Sequence, residues 1–421
     1  MNDQNNWDDM PTTKIMHGDC MQLLKSLPSN SVHAIVTDPP YGMSPDGIAR
    51  TWADIEEGKN IKGFMGKEWD SAVPCHNFFA ECLRVLEYGG HMIAFSSTRT
   101  VCALGMAAQK GGFVIRDMIH WCYFSGFPKS HDISKAIDRE AGAVREVVGE
   151  KITGNAKKNT SRSGDFADGL HGGTQKINVT KPATQDAQKW AGFGTALKPA
   201  VEPALLLRKP LEKGLTIAQN VLKHGTGALN IDGCRFGYGD PCWVGPQKDH
   251  SHEWKRKQSE SSNVPIVAQK PVDLQEYKPK GGRWPANLYQ CAKASRSERE
   301  EGLEHLETTK GFEAVHRKEG SAGLDNPRAG AGRTANEVRN IHPTVKPIKL
   351  MRWCCRLIGG QKGSVILDPF TGSGTTGAAA LLEGFDFVGM ELTPEYLPII
   401  DGRIEAARKQ YKLENAQLPL F

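Results

Sequence analysis

The chain has no run of about 18 apolar residues, which excludes a membrane-spanning helix. Its first ten residues, MNDQNNWDDM, have neither the positive start nor the apolar stretch of an export signal. Ten cysteines are scattered without a close Cys-x-x-Cys pair, so free thiols in a reducing, cytoplasmic setting are expected. Cys234, Cys242, His250, His252 and Cys291 are ligand types for zinc without its usual spacing, and no metal is expected. No internal repeat points to a solenoid. The glycine turn near the carboxyl end has no Lys after its second glycine and no Gly-Lys-Ser/Thr ending, which excludes a nucleotide P-loop. An excess of 53 basic over 48 acidic residues permits a nucleic-acid partner without demanding one.

What is present is an α/β pattern long enough for a large core. Short β-branched runs at Lys14 to Met16, His33 to Thr37, His91 to Ser96 and Phe113 to Tyr123 alternate with amphipathic stretches at Met21 to Leu27, Cys75 to Glu87 and Thr100 to Lys110. Gly89 and Gly90 are read as the stop of the second helix. A short helix is expected at Asp132 to Ala141, a buried strand at Val201 to Arg208 and a helix at Thr216 to Lys223. From about Val147 to Lys189 the composition turns to Gly, Ser, Thr, Asn and Lys, which predicts a mobile loop.

Residues 233–340 are polar, glycine-rich and basic, with one helix expected near Arg296 to Leu306, and are read as an insertion between parts 1–232 and 341–421 of one α/β domain. Within the insertion Lys255, Arg256, Lys257 and Arg283 lie among Trp254, Tyr277 and Trp284. The α/β pattern returns with a helix at Pro347 to Ile358, in which Cys354 and Cys355 read as core. It continues with strands at Ser364 to Leu367 and Asp386 to Met390 and helices at Gly374 to Leu382 and Pro394 to Lys409.

Asp38, Pro39, Pro40 and Tyr41 directly follow the strand ending at Thr37, where ligands gather in open α/β sheets. An exocyclic aromatic amine is a poor nucleophile because its lone pair is delocalised into the ring. The Asp38 carboxylate and the Pro39 carbonyl can each accept one amino hydrogen and favour a pyramidal nitrogen. The prolines fix the backbone, and Tyr41 offers a face for an extruded base. The plainer reading is a Pro-Pro turn with a solvent-facing Asp and a packed Tyr.

Near the carboxyl end, Asp368, Pro369, Phe370, Thr371, Gly372, Ser373, Gly374, Thr375 and Thr376 form a strand end, a tight turn and a helix start. There the glycines let backbone pass close to a ligand, and Ser373 or Thr375 can cap the helix. Glu391 ends the next strand, 23 residues after Asp368, placed to take the ribose hydroxyls of an adenosyl ligand unless it is an ordinary strand-ending acid. Asp19, beside Cys20, closes a short strand with His17 and Gly18; it can accept from an adenine amino group, cap the following helix, or do both. His342, Pro343, Thr344, Val345, Lys346 and Pro347 precede a helix, and Lys346 or Thr344 is expected to reach the cofactor's methionine carboxylate.

Taken in this order, these motifs resemble the β-class DNA amino-methyltransferases, the N6-adenine/N4-cytosine family. The resemblance rests on Gly18 and Asp19; Asp38 to Tyr41; His342 to Thr344 with Lys346 and Pro347; and Asp368 to Thr376. It implies a Rossmann-like fold with a mostly parallel sheet, S-adenosyl-L-methionine as methyl donor, base flipping from double-stranded DNA and a homodimer. Direct transfer without a metal is also implied. Gly126 to Ser130, Gly194 to Pro199 and Arg283 to Asn287 are similar to stretches of phage and prophage enzymes. An aspartate at position 38 is the form usual in the adenine enzymes, and serine in the cytosine enzymes, so adenine N6 is the expected target. The first rival is a DNA cytosine-N4 methyltransferase; the others are an RNA or protein-glutamine methyltransferase and a DNA-binding protein that has lost catalysis.

Overall fold

A computed structural model describes residues 10–42, 51–52, 70, 72–123, 126, 130–153, 175–237, 240–242, 282–310 and 337–416. In chain order the elements are β1 (Thr13–His17), α1 (Cys20–Ser26), β2 (Val32–Thr37), α2 (His76–Val85), β3 (Leu86–Phe95), α3 (Val101–Lys110), β4 (Val114–Cys122) and α4 (Ile133–Glu140). Next come β5 (Val147–Thr153), β6 (Gln175–Thr180), α5 (Gln185–Lys189), β7 (Val201–Arg208), α6 (Ile217–His224), β8 (Leu288–Gln290), α7 (Arg296–Glu300), β9 (Thr309–Lys310) and β10 (Glu337–Val338). The last are α8 (Ile348–Ile358), β11 (Val365–Asp368), α9 (Thr375–Leu382), β12 (Asp386–Glu391) and α10 (Leu397–Ala416).

Eight strands make one sheet in the order β1-β12-β11-β2-β3-β7-β4-β8. Every neighbouring pair is parallel except the two made by β7, which alone runs the other way. The sheet is covered on both faces, as a parallel sheet with crossover helices requires. Alternate residues of each strand therefore enter different cores. Ala34, Val36, Ile93, Phe95 and Ile366 pack with α8, α9 and α10, whereas Ile35, Met92, Ala94 and Leu367 pack with α1, α2 and α3. This is the α/β architecture expected from the alternating pattern, with a mostly parallel sheet, and Cys354 and Cys355 are fully buried in it. Among the described residues no helix is long and apolar enough to cross a membrane.

Three expectations are corrected. The second helix ends at Val85, and Gly89 and Gly90 lie inside β3. Gly89 (φ 76) is needed there because the Asn220 amide would stand 2.6 Å from any Cβ, so the glycines mark a close approach within a strand. The helix expected to reach Leu306 stops at Glu300, because Gly302 (φ 79) turns against the backbone of Gly402 on α10 and sends Leu303 into a small core with Tyr396 and Ile399. Within the stretch 147–189, expected to be a loop, the described residues form an antiparallel ribbon of β5 and β6 and the helix α5, capped by Thr184, while residues 154–174 lie outside the described residues. The two glycine positions escape a local reading because their partners, Asn220 and Gly402, come from elsewhere in the chain. Both described ends of the expected insertion join the main body: Cys234, Phe236 and Cys242 enter the core around Trp353, and β8 extends the sheet.

Candidate active site

Parallel strands place their carboxyl ends on one edge. His17 of β1 lies opposite Glu391 of β12, Asp368 of β11 opposite Gly389, and Thr37 of β2 opposite Ala94 of β3. Asp19, Glu391, Asp368 and Asp38 are thereby gathered from distant parts of the chain. From β2 the chain crosses to β3, and from β11 it crosses the opposite way to β12, so a crevice opens between β2 and β11. Thr37 Oγ1 donates to Asp368 Oδ1 at 2.6 Å across that junction, tying the Asp-Pro-Pro-Tyr turn to the glycine turn.

Asp38 sits in an alternating chain of charges. Lys346 Nζ donates to Asp38 Oδ2 at 2.5 Å and lies 3.3 Å from Glu202 Oε2, and Lys293 Nζ closes the chain 3.2 Å from Glu202 Oε1. The other oxygen, Asp38 Oδ1, is buried and has no hydrogen-bond partner among the described residues. Lys346 is only 7% exposed and stands over the rings of Tyr41 and Phe95, 5.2 and 5.1 Å from their centroids. Burial opposes its charge, but Asp38 and Glu202 outweigh burial and hold the ammonium above the usual lysine range. Glu202 is partly buried, which opposes its charge, yet Lys346 and Lys293 keep its carboxyl below the usual range.

Tyr41 is fixed at both ends. Its backbone N–H donates to Asp70 Oδ1 at 2.7 Å and its hydroxyl donates to Glu202 Oε2 at 3.2 Å, while burial, then Asp38 and Glu202, push the phenol well above its ordinary pKa. The same hydroxyl accepts from Lys346 Nζ at 3.0 Å. Pro39 and Pro40 are buried beside it.

The glycine turn rests on a cation that sequence reasoning missed. Arg403 of α10, 5% exposed, donates through one nitrogen to Ser373 O (2.9 Å), Ser373 Oγ (3.0 Å) and Thr375 Oγ1 (2.7 Å). Burial lowers its pKa to about 10, which still leaves it charged at neutral pH. The two hydroxyls therefore do not cap α9 as expected; Gly374 (φ 79) stands at the N-cap without a side-chain bond. Glu391 spans the turn from below, accepting from Gly372 N at 2.7 Å and Thr393 N at 2.8 Å, and burial raises its pKa. Asp368 also accepts from Phe370 N at 3.0 Å, and burial pushes its carboxyl up to about 6. His342 packs under Gly372 (φ 56), its Nε2 2.8 Å from where a Cβ would stand, and burial pushes its imidazole down to about 3.

The remaining expected residues divide. Asp19 caps α1 by accepting from Gln22 N at 3.1 Å and is exposed at the same edge, Cys20 is buried beneath it, and Pro369 and Phe370 border the turn, with Phe370 against Trp52 and Phe78. Thr344 is exposed. Lys346, expected beside a methionine carboxylate, meets Asp38 instead, because α8 packs against β2 and β3 and so brings its first turn to the end of β2. Arg283 is exposed and precedes β8, the outermost strand, at its amino end, whereas Lys255, Arg256 and Lys257 lie outside the described residues. Cys234 and Cys242 donate to carbonyl oxygens, and no metal-binding cluster of His, Cys, Asp and Glu occurs among the described residues; His250 and His252 lie outside them. Glu202 was missed although it stands as the one charge opening an apolar strand. Its significance depends on β7 running antiparallel, which puts its amino end on the active edge.

Residues 32–401 match the DNA methylase family of N6/N4 type. The chain belongs to that family. The methylase is 25% identical over 287 residues, 62% of this chain and 77% of the relative, to the type II methyltransferase M.HindIII of Haemophilus influenzae. It is 41% identical over 66 residues, 16% of this chain and 22% of the relative, to the DNA adenine methyltransferase YhdJ of Escherichia coli. Among solved structures, the M1.HpyAVI–SAM complex aligns over 93% of the methylase and 99% of that chain at 16% identity, with a TM-score of 0.40.

Proposed function

We propose that this methylase is a site-specific enzyme that transfers a methyl group from S-adenosyl-L-methionine to adenine N6 in duplex DNA, with the target base swung out of the helix. The observation that carries the reading is Asp38: one carboxylate oxygen is held by Lys346, and the other is a buried acceptor with no partner among the described residues. An acceptor desolvated in this way favours an N–H donor, because a buried oxygen left unmade costs about 1–3 kcal/mol. With the Pro39 carbonyl as second acceptor, both hydrogens of an exocyclic amine are held and its lone pair is freed.

The edge also suits the donor. Asp19, Asp38, Asp368 and Glu391 line it, four carboxylates that repel a phosphate group but match ribose hydroxyls, an adenine amino group and a sulfonium charge. When bound, the family's cofactor supplies an electrophilic methyl group. Glu391 is assigned to the ribose hydroxyls and Asp19 to the adenine amino group, with Cys20, His342, Pro369, Phe370 and Gly372 to Thr375 shaping the surface between them. The Asp38–Lys346–Glu202 chain orients the amine and compensates the charge that builds on it. Lys255, Arg256, Lys257 and Arg283 are assigned to DNA, the lysines as phosphate contacts whose contribution falls with salt.

Expression in a methylation-deficient host, with modified bases mapped by single-molecule sequencing, tests the reading. N6-methyladenine at a defined sequence is expected, lost with Asp38→Ala while cofactor affinity is retained. N4-methylcytosine would overturn the choice of base. Labelling of RNA or peptide alone, or equal activity of the Asp38→Ala variant, would overturn the function itself.

A further inference from the structure

Two stretches, 126–130 and 194–199, have no part in the site described so far. Gly126 and Ser130 of the first meet the second. Tyr123 follows β4 and Ala200 precedes β7, and Tyr123 N donates to Ala200 O at 2.9 Å. The excursion between them therefore leaves and re-enters the sheet on the edge that carries Asp38 and Glu202. Gly126 lies so close to Pro199 that a Cβ would stand 1.7 Å from the Pro199 carbonyl oxygen. Ser130 Oγ accepts from Thr195 N (3.0 Å) and Ala196 N (3.2 Å), and His131 N donates to Thr195 Oγ1 at 2.9 Å. Ile133 N donates to Phe193 O, and Asp132 bridges Gly194. A second clamp holds the base of the lobe: Asp138 accepts from Arg145 (2.5 Å), Ala183 N (3.0 Å) and Thr184 N (3.0 Å).

What this frame holds out is apolar. Trp190, Phe193 and Leu197 are 44%, 56% and 93% exposed, although the backbone that carries them is pinned and Trp190 packs edge-on against Phe193 at 5.0 Å. Ordering a turn costs conformational entropy, and this one recovers little of it by burying its own large side chains. Rigid, outward apolar groups are instead what a binding surface needs, since little freedom is left to lose when the partner arrives. The position selects the partner. Leu197 is five residues before Glu202, so it stands within roughly 18 Å of the Asp38 network even along a fully extended chain. From the start of α5 to β7, residues 185–200 carry Lys189 and Lys198 against the single acid Asp186, a small positive excess that suits a polyanion. A base delivered to Asp38 brings its duplex across this edge and leaves a gap in the stack that apolar side chains can fill.

We propose that the turn Trp190–Leu197 contacts the DNA substrate, entering the groove beside the extruded base with Trp190, Phe193 and Leu197. The proposal rests on the DNA-methylating reading above. Its test uses the full chain, labelled cofactor and genomic duplex DNA from a methylation-deficient host. Leu197→Ser and the triple variant Trp190→Ser, Phe193→Ser, Leu197→Ser are compared with the parent. The KM for DNA should rise about tenfold or more in the triple variant and by a smaller factor in the single one. Cofactor affinity should stay within about twofold, and the slope of log KM against log salt should not change, because apolar contacts release no counterions. A triple variant with parental KM overturns the proposal and leaves the function intact; parental KM with altered sedimentation assigns the face to a second copy and overturns it too. A parent that methylates no DNA fails before any variant is made, and takes both readings with it.

Discussion

Replacing Lys346 with Met tests the charge chain directly. At an effective dielectric of about 20 the two contacts of the ammonium, 2.5 Å to Asp38 and 3.3 Å to Glu202, represent roughly 5–7 kcal/mol of attraction each. Desolvation of the buried ammonium and of two partly buried carboxylates offsets most of it, so the intact network contributes little net stability. Removing the cation alone is different, because Asp38 and Glu202 are then left as neighbouring anions, with Lys293 the one other cation paired to Glu202 among the described residues. Lys346→Met should cost about 3–5 kcal/mol in unfolding free energy. With Asp38 no longer held, kcat should fall on the order of 100-fold. The sharper prediction concerns Glu202→Gln. In the parent it removes one partner of Lys346 and destabilises; in the Lys346→Met background it removes a repelling charge, and its effect should vanish or change sign, a coupling of about 2 kcal/mol or more.

Equilibrium urea unfolding of the cofactor-free protein at pH 7.5 measures all four members of the cycle. The pH is chosen by sign. The contribution of Glu202, whose pKa is lowered, is lost only as pH falls below its ordinary 4.5, and that of Lys346, whose pKa is raised, only as pH climbs past its ordinary 10.5. If Glu202→Gln costs the same in both backgrounds within about 0.5 kcal/mol, the three groups do not act as a network and the reasoning fails.

Two further outcomes follow from buried charges. Burial, only partly offset by the N–H groups of Tyr41 and Gly42, pushes Asp70 up to about 6. A raised folded-state value means its stabilising contribution is complete below the ordinary 3.8 and is lost as pH rises through about 6. Asp70→Asn, which keeps the acceptor for Tyr41 N, should therefore be more stable than the parent at pH 8 by up to about 3 kcal/mol, with the advantage gone by about pH 4. Thermal unfolding across that range checks it, and a difference that does not vary with pH would refute it. Arg403→Met should raise the Kd for S-adenosyl-L-methionine about tenfold or more by freeing the glycine turn, and Arg403→Lys should recover part of the loss. Calorimetric titration reads this without DNA, and parental affinity in a folded Arg403→Met protein would remove that residue from cofactor positioning.

Local patterns made much of the protein legible from sequence alone. The turn at Asp38 and the bend at Gly372 were readable because both depend on immediate neighbours: a β-branched strand, then residues with restricted or unusual backbone freedom. The strand Val201–Arg208 was visible for the same reason, as an apolar run flanked by Pro199 and Pro210. Gly89 and Gly90 misled because glycine marks a constrained backbone without saying whether the constraint is a helix end or the approach of Asn220 from more than a hundred residues away.

Partnerships between distant charges were beyond local pattern. Nothing near Glu202 indicates that β7 is reversed, and nothing near Lys346 indicates that α8 begins at the end of β2; both facts come from strand order. Arg403 looks like any basic residue of a charged helix until α10 lies under the glycine turn. Gly126 and Ser130 likewise gained a meaning only once they met the stretch 194–199. Short-range sterics and periodicity determine which turns exist. Long-range packing into two cores decides which turns face one another, and with that which carboxylate keeps a free oxygen.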